Sequence, residues 1–371
     1  MHALMTGELH METVNPKSDL GVEVCDPIPL TPEEKAVFAP CLERQGLSPD
    51  FLDIITNIPN RSRVIKVWSE GGELLGTTTV LLTPSVFMKH CFGHGNHIGT
   101  NNTFFFSEGA NRSEVLSAMF RKLLELRPMG SYIGFLDDDL ICDFRHALEG
   151  ISYQVAGKVM EAGAISTKSP DAAKALLGSH GNLSRQINRF RNKGGEISIH
   201  EGAVKDGLAD AFVKCCKSSY LKSPHPGAPI NVEAYGEHVR KFMESYPSAL
   251  YIYAKLGGEV VGVQIFIRHR NYLELTEGGF LTDTCHAYEN IIMSSVQYAA
   301  EHGLEKVSYG LILNQTKDRL LDKEGRRPIY MISMGAGTTH SSAMGHVDPR
   351  AHEQFPRLYW KDRSAFPDRP L

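Results

Sequence analysis

The sequence lacks any apolar run that approaches the ~18–20 residues a membrane-spanning helix requires. Residues 1–19 include acids and no apolar stretch, so we expect no secretory signal peptide. The seven cysteines are scattered and odd in number, which is typical of reduced thiols rather than of a disulfide framework. These absences predict a soluble, cytoplasmic protein that does not associate with a membrane.

The chain also lacks the strong positive charge of a dedicated nucleic-acid binder, because its formal net charge is −4. Its content of 42% hydrophobic and 22% charged residues is that of an ordinary globular protein. With 371 residues, it is long enough for two domains that each bury a full hydrophobic core.

A standard zinc-finger spacing is missing as well. His90, Cys91, His94 and His97 stand close together and carry the imidazole and thiolate groups that zinc prefers. Their spacing fits no standard finger, and the glycines between them are typical of a loop. We therefore expect no metal site.

The clearest positive signal is a hairpin in the C-terminal half. Gly257-Gly258 separates two runs of β-branched and aromatic residues, which predicts a two-residue turn between antiparallel strands. A third extended run closes with Gly278-Gly279. The predicted elements are strands at 250–256, 259–267 and 271–277, a helix at 288–302 and a strand at 306–310.

The same order of elements recurs earlier in the chain. Gly71-Gly72-Glu73 matches Gly257-Gly258-Glu259, and a predicted hairpin, helix and strand follow one another between residues 64 and 136. This ordered recurrence predicts a duplicated domain. The predicted division is a loose leader at 1–22, domains at 23–180 and 181–333, and a tail containing Gly, Ser, His and Pro at 334–371.

A basic amphipathic helix is predicted at the junction, over residues 183–193. Leu183, Ile187 and Phe190 form one apolar stripe, and Gly194 follows as a stop signal. The polar face is basic and contains no acid; its cations are Arg185, Arg189, Arg191 and Lys193. Two interpretations remain open: a solvated face that complements the helix dipole, or an anchor for a phosphate-bearing donor.

The basic helix, the Gly-Gly-Glu hairpin, the long helix, the strand after it and Lys317 together resemble the FemAB-like and BioF-like branch of the GNAT acyltransferase superfamily. The resemblance covers residues 64–332. It implies an α/β (α+β) fold with two tandem GNAT-like domains, each a mixed, mostly antiparallel sheet flanked by helices.

The resemblance implies an N-acyltransferase that moves an acyl group from an acyl-CoA-type thioester to the amine of a small molecule, amino acid or peptide. Donors in this branch also include aminoacyl-tRNA, so an amide-forming aminoacyl transferase with tRNA as donor is an alternative. Typical GNAT enzymes bind the donor's pyrophosphate with a Gly-x-Gly turn, and the residues before Tyr288 contain none. That departure leaves a non-catalytic binding protein as a third hypothesis.

The candidate base is Glu277 or Glu274, because direct acyl transfer needs a group that accepts the proton of the amine. Strict alternation along the strand predicts that Glu277 shares a face with Leu273 and Leu275, and that Glu274 points the other way. Glu274 has an equally good interpretation as a surface residue. The remaining candidates are Tyr309 and Tyr288 as general acids, and Arg185, Arg189, Gly278, Gly279 and Lys317 as donor-binding residues.

Overall fold

The computed structural model describes residues 20–26, 29–56, 62–81, 97–98, 101–102, 104–126, 131–136, 143–144, 146–149, 151, 153–204, 207–222, 232–281, 284–311, 319–323, 326–334 and 360–361. The helices are α1 (Pro32–Arg44), α2 (Phe51–Thr56), α3 (Arg112–Leu126), α4 (Ala172–Ser179), α5 (Leu183–Asn192), α6 (Gly207–Lys222), α7 (Val232–Ser245) and α8 (Ala287–Glu301). The strands are β1 (Gly21–Cys25), β2 (Ser62–Trp68), β3 (Leu74–Leu81), β4 (His97–Ile98), β5 (Asn101–Asn102), β6 (Phe105–Phe106), β7 (Ser131–Leu136), β8 (Tyr153–Ser166), β9 (Gly195–Glu201), β10 (Ala249–Leu256), β11 (Glu259–Arg268), β12 (Tyr272–Phe280), β13 (Lys306–Leu311), β14 (Arg327–Met334) and β15 (Trp360–Lys361).

Local sequence signals account for the ends of several elements. The Thr31 side chain accepts a hydrogen bond from the backbone N–H of Glu34, whose carboxylate bonds back to the N–H of Thr31, and Pro32 occupies the first helical position of α1. The turn between β10 and β11 has positive φ at both Gly257 and Gly258, as a two-residue turn of this kind requires. The predicted hairpin is therefore confirmed.

The described strands form three sheets. A four-stranded sheet has the order β1-β2-β3-β6, and β4 pairs with β5. The large sheet has nine strands in the order β7-β14-β8-β13-β12-β11-β10-β9, with β15 also paired to β8. Most neighbours are antiparallel, whereas β12 and β13 are parallel because α8 connects them.

The order of hairpin, helix and strand appears twice, as predicted. It is β2-β3, α3 and β7 in the first copy, and β10-β11, α8 and β13 in the second. The strand that follows each copy pairs with the other copy, because β8 pairs with β13 and β14 pairs with β7. The strands β8 and β14 also pair with each other, so the large sheet continues across the predicted boundary at 180/181.

Both faces of the large sheet are covered. One face packs under α1, α2, α6 and α7, and its core includes Phe51, Phe212 and Ile265. The other face packs under α4, α5 and α8, and its core includes Phe190 and Phe266. A further core lies between the four-stranded sheet and α3. This mixed, mostly antiparallel architecture with flanking helices confirms the predicted α/β (α+β) fold class.

Within the described part of the chain, no helix combines the length and the apolar character needed to cross a membrane.

Gly279 is the position where α6 lies against β12 most closely. The strand β12 extends through Gly278 and Gly279, which were predicted to end it. A Cβ at Gly279 would lie 2.2 Å from the carbonyl oxygen of Cys215 and 2.4 Å from the Cα of Cys216, and neither backbone atom can rotate away. Gly279 is thus required for helix packing and lies under α6.

Replacing Gly279 by alanine should lower the free energy of unfolding by about 1–3 kcal/mol, because α6 has to move outward. Urea denaturation measures the loss. The matched control is Gly178→Ala in α4, where nothing lies within 4 Å of the new Cβ. That change should raise stability by up to ~1 kcal/mol through helix propensity. An unchanged urea midpoint in Gly279→Ala would contradict the packing role.

Candidate functional site

The parallel strands β12 and β13 separate part-way along their length. Their pairing runs from Tyr272 opposite Lys306 to Glu274 opposite Ser308. Beyond that point β12 continues to Phe280, whereas β13 changes register against β8 around Gly310, whose φ is +68°. We call the resulting gap between the two strands the split. Backbone groups on an unpaired strand edge are available to a ligand.

A β-bulge decides where Glu277 points. Leu275 pairs with Phe266 and Glu277 pairs with Ile265, so Thr276 is an extra residue on β12. The Thr276 hydroxyl donates a hydrogen bond to the Ile265 carbonyl oxygen, 3.0 Å away. A bulge of this kind interrupts the alternation of side chains and re-aims those that follow it.

The predicted face of Glu277 is therefore wrong. Strict alternation placed it with Leu273 and Leu275, but the bulge puts it on the same face as Glu274, under α6. The influence of Glu277 on Cys216 of α6 supports this placement of Glu277. Burial raises the pKa of the Cys216 thiol, and the nearby Glu277 carboxylate raises that pKa further. Glu277 is partly exposed and lies on the strand that borders the split.

Glu274 is fully buried, so its interpretation as a surface residue is also wrong. Its carboxylate lies 3.3 Å from Nε2 of His269, and the Nδ1 of His269 accepts a 3.0 Å hydrogen bond from the Ser48 N–H. The imidazole packs edge-on against Phe51, with ring centroids 5.4 Å apart. Since this buried carboxylate already has its partner in His269, Glu274 holds the α1–α2 connection to the large sheet.

The two candidate tyrosines have different environments on the other face. The Tyr309 hydroxyl is 2.5 Å from Ser295 Oγ and 3.3 Å from the carbonyl oxygen of Ile292, and burial raises its pKa. These contacts join β13 to α8 and favour a structural role over that of a general acid. The Tyr288 hydroxyl is buried too, but within the described residues it has no hydrogen-bond partner.

The basic helix α5 lies against the start of α8. Leu183, Ile187 and Phe190 are buried, as the periodicity predicts, and Arg185 and Arg189 are exposed. Neither arginine takes part in an ion pair among the residues that the structure describes. The carbonyl oxygen of Arg189 is 3.9 Å from Cys285 Sγ, in the loop that leads into α8. The structure thus places unpaired cations beside this helix start.

The loop before α8 has a conformation that its sequence does not reveal. Cys285 and His286 have φ values of +47° and +71°, a left-handed pair that residues with a side chain adopt uncommonly. They occur where a Gly-x-Gly turn was missing from the sequence. Strain of this kind in non-glycine residues concentrates at ligand-binding sites.

A buried acid occupies the first turn of α8. Glu289 is 9% exposed, and its carboxylate lies 3.7 Å from Nδ1 of His286. An acid is stabilised there by the helix dipole, and it lowers the attraction of the same helix start for phosphate. The arginines of α5 are consequently the better anchors for an anionic donor group.

Several predicted residues do not contribute to this arrangement, or lie outside the described residues. Gly279 is covered by α6 and does not line the split. Lys317 lies outside the described residues, as do His90, Cys91 and His94, and only the backbone of His97 is described. Among the residues that are described, no group of three or more His, Cys, Asp or Glu side chains is arranged to hold a metal ion.

No family model matches the sequence, and no curated protein matches it. Solved structures do. The C-terminal (DUF2156) domain of a protein assigned as a lysylphosphatidylglycerol synthetase from Agrobacterium fabrum matches with TM-score 0.54 and 10% identity, covering 87% of this chain and 98% of that one. The structure of L-PGS from Bacillus licheniformis matches with TM-score 0.55 and 10% identity, covering 87% and 97%. These two likenesses show a common fold.

A more distant likeness is a tandem GNAT protein from the clavulanic acid biosynthesis pathway, at TM-score 0.48 and 11% identity, which covers 86% of this chain and 100% of that one.

The buried tyrosines predict a loss of stability in alkaline solution. Burial raises the pKa of Tyr251, Tyr288 and Tyr309, and burial with a hydrogen bond to Glu201 raises that of Tyr298 to about 12. In the unfolded chain tyrosine ionises near pH ~10, so above that pH the unfolded state binds fewer protons than the folded one. The contribution of these tyrosines to stability should be constant below this pH and fall above it.

Urea unfolding at pH 8 and pH 11, with tyrosinate absorbance as the second readout, measures this effect. Ionisation of these four tyrosines at pH 10 in the folded protein would contradict the prediction.

Proposed function

We propose that this chain is an N-acyltransferase that moves an acyl group from an acyl-CoA-type thioester to the amine of a small molecule, amino acid or peptide. The observation that carries the proposal is the split, which is bordered by β12, the strand of Glu277. On the opposite face of the sheet, the basic helix α5 contacts the loop that leads into α8. Such a gap admits a donor and an acceptor from opposite faces and holds them in line.

In this proposal Glu277 is the general base. The amine nitrogen attacks the thioester carbonyl carbon, a C–N bond forms as the C–S bond breaks, and the proton of the amine passes to the Glu277 carboxylate. The leaving thiolate then takes up a proton. Backbone N–H groups of β12 that face the split are the candidates for stabilising the developing oxyanion. Arg185 and Arg189 bind phosphate groups of the donor.

The test is incubation of the full chain with a panel of acyl-CoAs and amines, followed by release of free thiol. Turnover with at least one pair is expected, and Arg189→Glu should raise the KM for the acyl-CoA. The matched control is Lys241→Glu, an exposed cation on α7. Absence of both turnover and CoA binding would overturn the proposal, and CoA binding without turnover would favour a non-catalytic binding protein.

The second candidate is an aminoacyl transferase that uses aminoacyl-tRNA. The face of α5 is basic and contains no acid, and Arg185 and Arg189 form no ion pair with any described residue. These features favour a polyanionic donor. The fold shared with a protein assigned as a lysylphosphatidylglycerol synthetase is compatible with this candidate.

Binding of charged tRNA at increasing salt distinguishes this candidate from the first. Phosphate contacts release counterions, so the affinity should fall steeply as salt rises, and Arg185→Ala and Arg189→Ala should each reduce the slope. An affinity that does not depend on salt would exclude a tRNA donor.

A further inference from the structure

Three buried oxygen atoms without hydrogen-bond partners lie on elements of the sheet face that α4, α5 and α8 cover. They are Oε1 of Gln264, the hydroxyl of Tyr288 and Oε1 of Gln186, and none bonds to another described residue. Buried polar groups in folded proteins almost always have a partner, so each exception calls for a physical explanation.

Gln264 is the most unusual of the three. It is 2% exposed and lies in the middle of β11, opposite Ile252 on β10 and Gly278 on β12. Phe266 is the next residue of β11 on the same face. Ile252 and Phe266 both belong to the apolar core on that face. An apolar side chain of the same shape would make the folded protein more stable, because it would leave no amide oxygen without a hydrogen-bond partner.

The position beside Gln264 on β12 carries no side chain. Gly278 occupies it, and the next residue on this face is Phe280. The Tyr288 ring packs edge-on against Phe280, with centroids 5.4 Å apart. Gln264 therefore lies beside a strand position without a side chain, and Tyr288 contacts the next residue of β12 on the same face.

Gly278, with Gln264 beside it, lies on β12, the strand that borders the split. Tyr288 is close enough to Tyr309 on β13 to influence its ionisation, and the rings of Tyr309 and Phe266 are 6.3 Å apart. The third oxygen comes from α5, which the contact between Cys285 and Arg189 holds against the start of α8. Gln264 is thus one strand away from the gap, across β12, and Tyr288 lies near Phe280 of β12 and Tyr309 of β13.

We propose that Gln264 and Tyr288 form a polar subsite that binds an amino or hydroxyl group carried by the transferred acyl group. The proposal rests on the transferase function proposed above and specifies the class of donor. A plain hydrocarbon acyl chain leaves both oxygens without a partner, whereas an amino or hydroxyl hydrogen satisfies them. A site built to bond such a group discriminates strongly against an analogue that lacks it.

The decisive comparison uses β-alanyl-CoA and butyryl-CoA, which have the same shape and differ by an amino group in place of a methyl group. The wild-type chain should prefer β-alanyl-CoA by ~10²-fold in kcat/KM. Gln264→Met and Tyr288→Phe, which keep the shape and remove the polar atom, should reduce that preference to within a few-fold. The control is Gln297→Met on the exposed side of α8, which should leave the preference unchanged.

A second measurement does not depend on turnover. β-Alaninamide should raise the thermal midpoint of the wild-type chain and not that of Gln264→Met, and butyramide should raise neither. Equal use of the two thioesters, a preference that persists in both variants, or no shift with β-alaninamide would overturn the subsite. Turnover without any preference would leave the transferase proposal intact, and a β-alaninamide shift without turnover would support the subsite while contradicting the transferase.

Discussion

Replacing Glu277 by glutamine is expected to lower kcat by ~10²–10⁴-fold, the contribution typical of a general base. The amide has nearly the shape of the carboxylate but cannot accept the proton of the amine. Glu277 is partly exposed beside the split, so the variant should fold with unchanged stability. The measurement is the pH dependence of thiol release, in which the wild-type chain should show a step from the base in addition to that of the amine, and the variant should show that of the amine alone.

The matched control for this prediction is Glu259→Gln on the same sheet. Glu259 is exposed and pairs with Lys214 at 2.8 Å on the surface, so its replacement should change kcat by less than about two-fold. Similar activities in the two variants would show that Glu277 is not the base and that the proton of the amine leaves by another route.

Replacing His269 by alanine is expected to lower the free energy of unfolding by about 3–5 kcal/mol, because it removes a partner from a fully buried carboxylate. It also removes the acceptor of the Ser48 N–H. Both side chains of the His269–Glu274 pair have no exposed surface, so water cannot replace the lost contact. Urea denaturation of His269→Ala, Glu274→Gln and the double variant measures the effect.

The double variant gives the strength of the pair itself. Because the two groups share one contact, the combined loss should be smaller than the sum of the single losses by about 1–3 kcal/mol. His302→Ala, which removes a partly exposed ring stacked on Tyr298, is the control and should have a small effect. Additive losses would mean that His269 and Glu274 contribute to stability independently.

Much of the local structure could be predicted from the sequence. The capping residues of α1, the Gly257-Gly258 turn and the apolar stripe of α5 depend on neighbours three or four residues away, and the structure confirms them. The recurrence of hairpin, helix and strand could also be predicted, because each element has its own periodic pattern.

The candidate site could be predicted only in part, and the main error came from the bulge. The extra Thr276 leaves no clear signal in a short strand, yet it moves Glu277 to the opposite face of the sheet. Similarly, the position of Tyr288 beside Phe280, with Gln264 on the adjacent strand, depends on strand register, which is set by the packing of three elements.

The sequence by itself determined the element types, the duplicated order and the basic face of α5, since these follow from spacing along the chain. The tertiary structure alone decided which carboxylate is buried. His269 lies 221 residues from Ser48 in the chain, and only folding joins them and encloses Glu274. It also decided that Cys285 and His286 adopt the left-handed turn usually left to glycine, because long-range packing can hold a backbone that local preference disfavours.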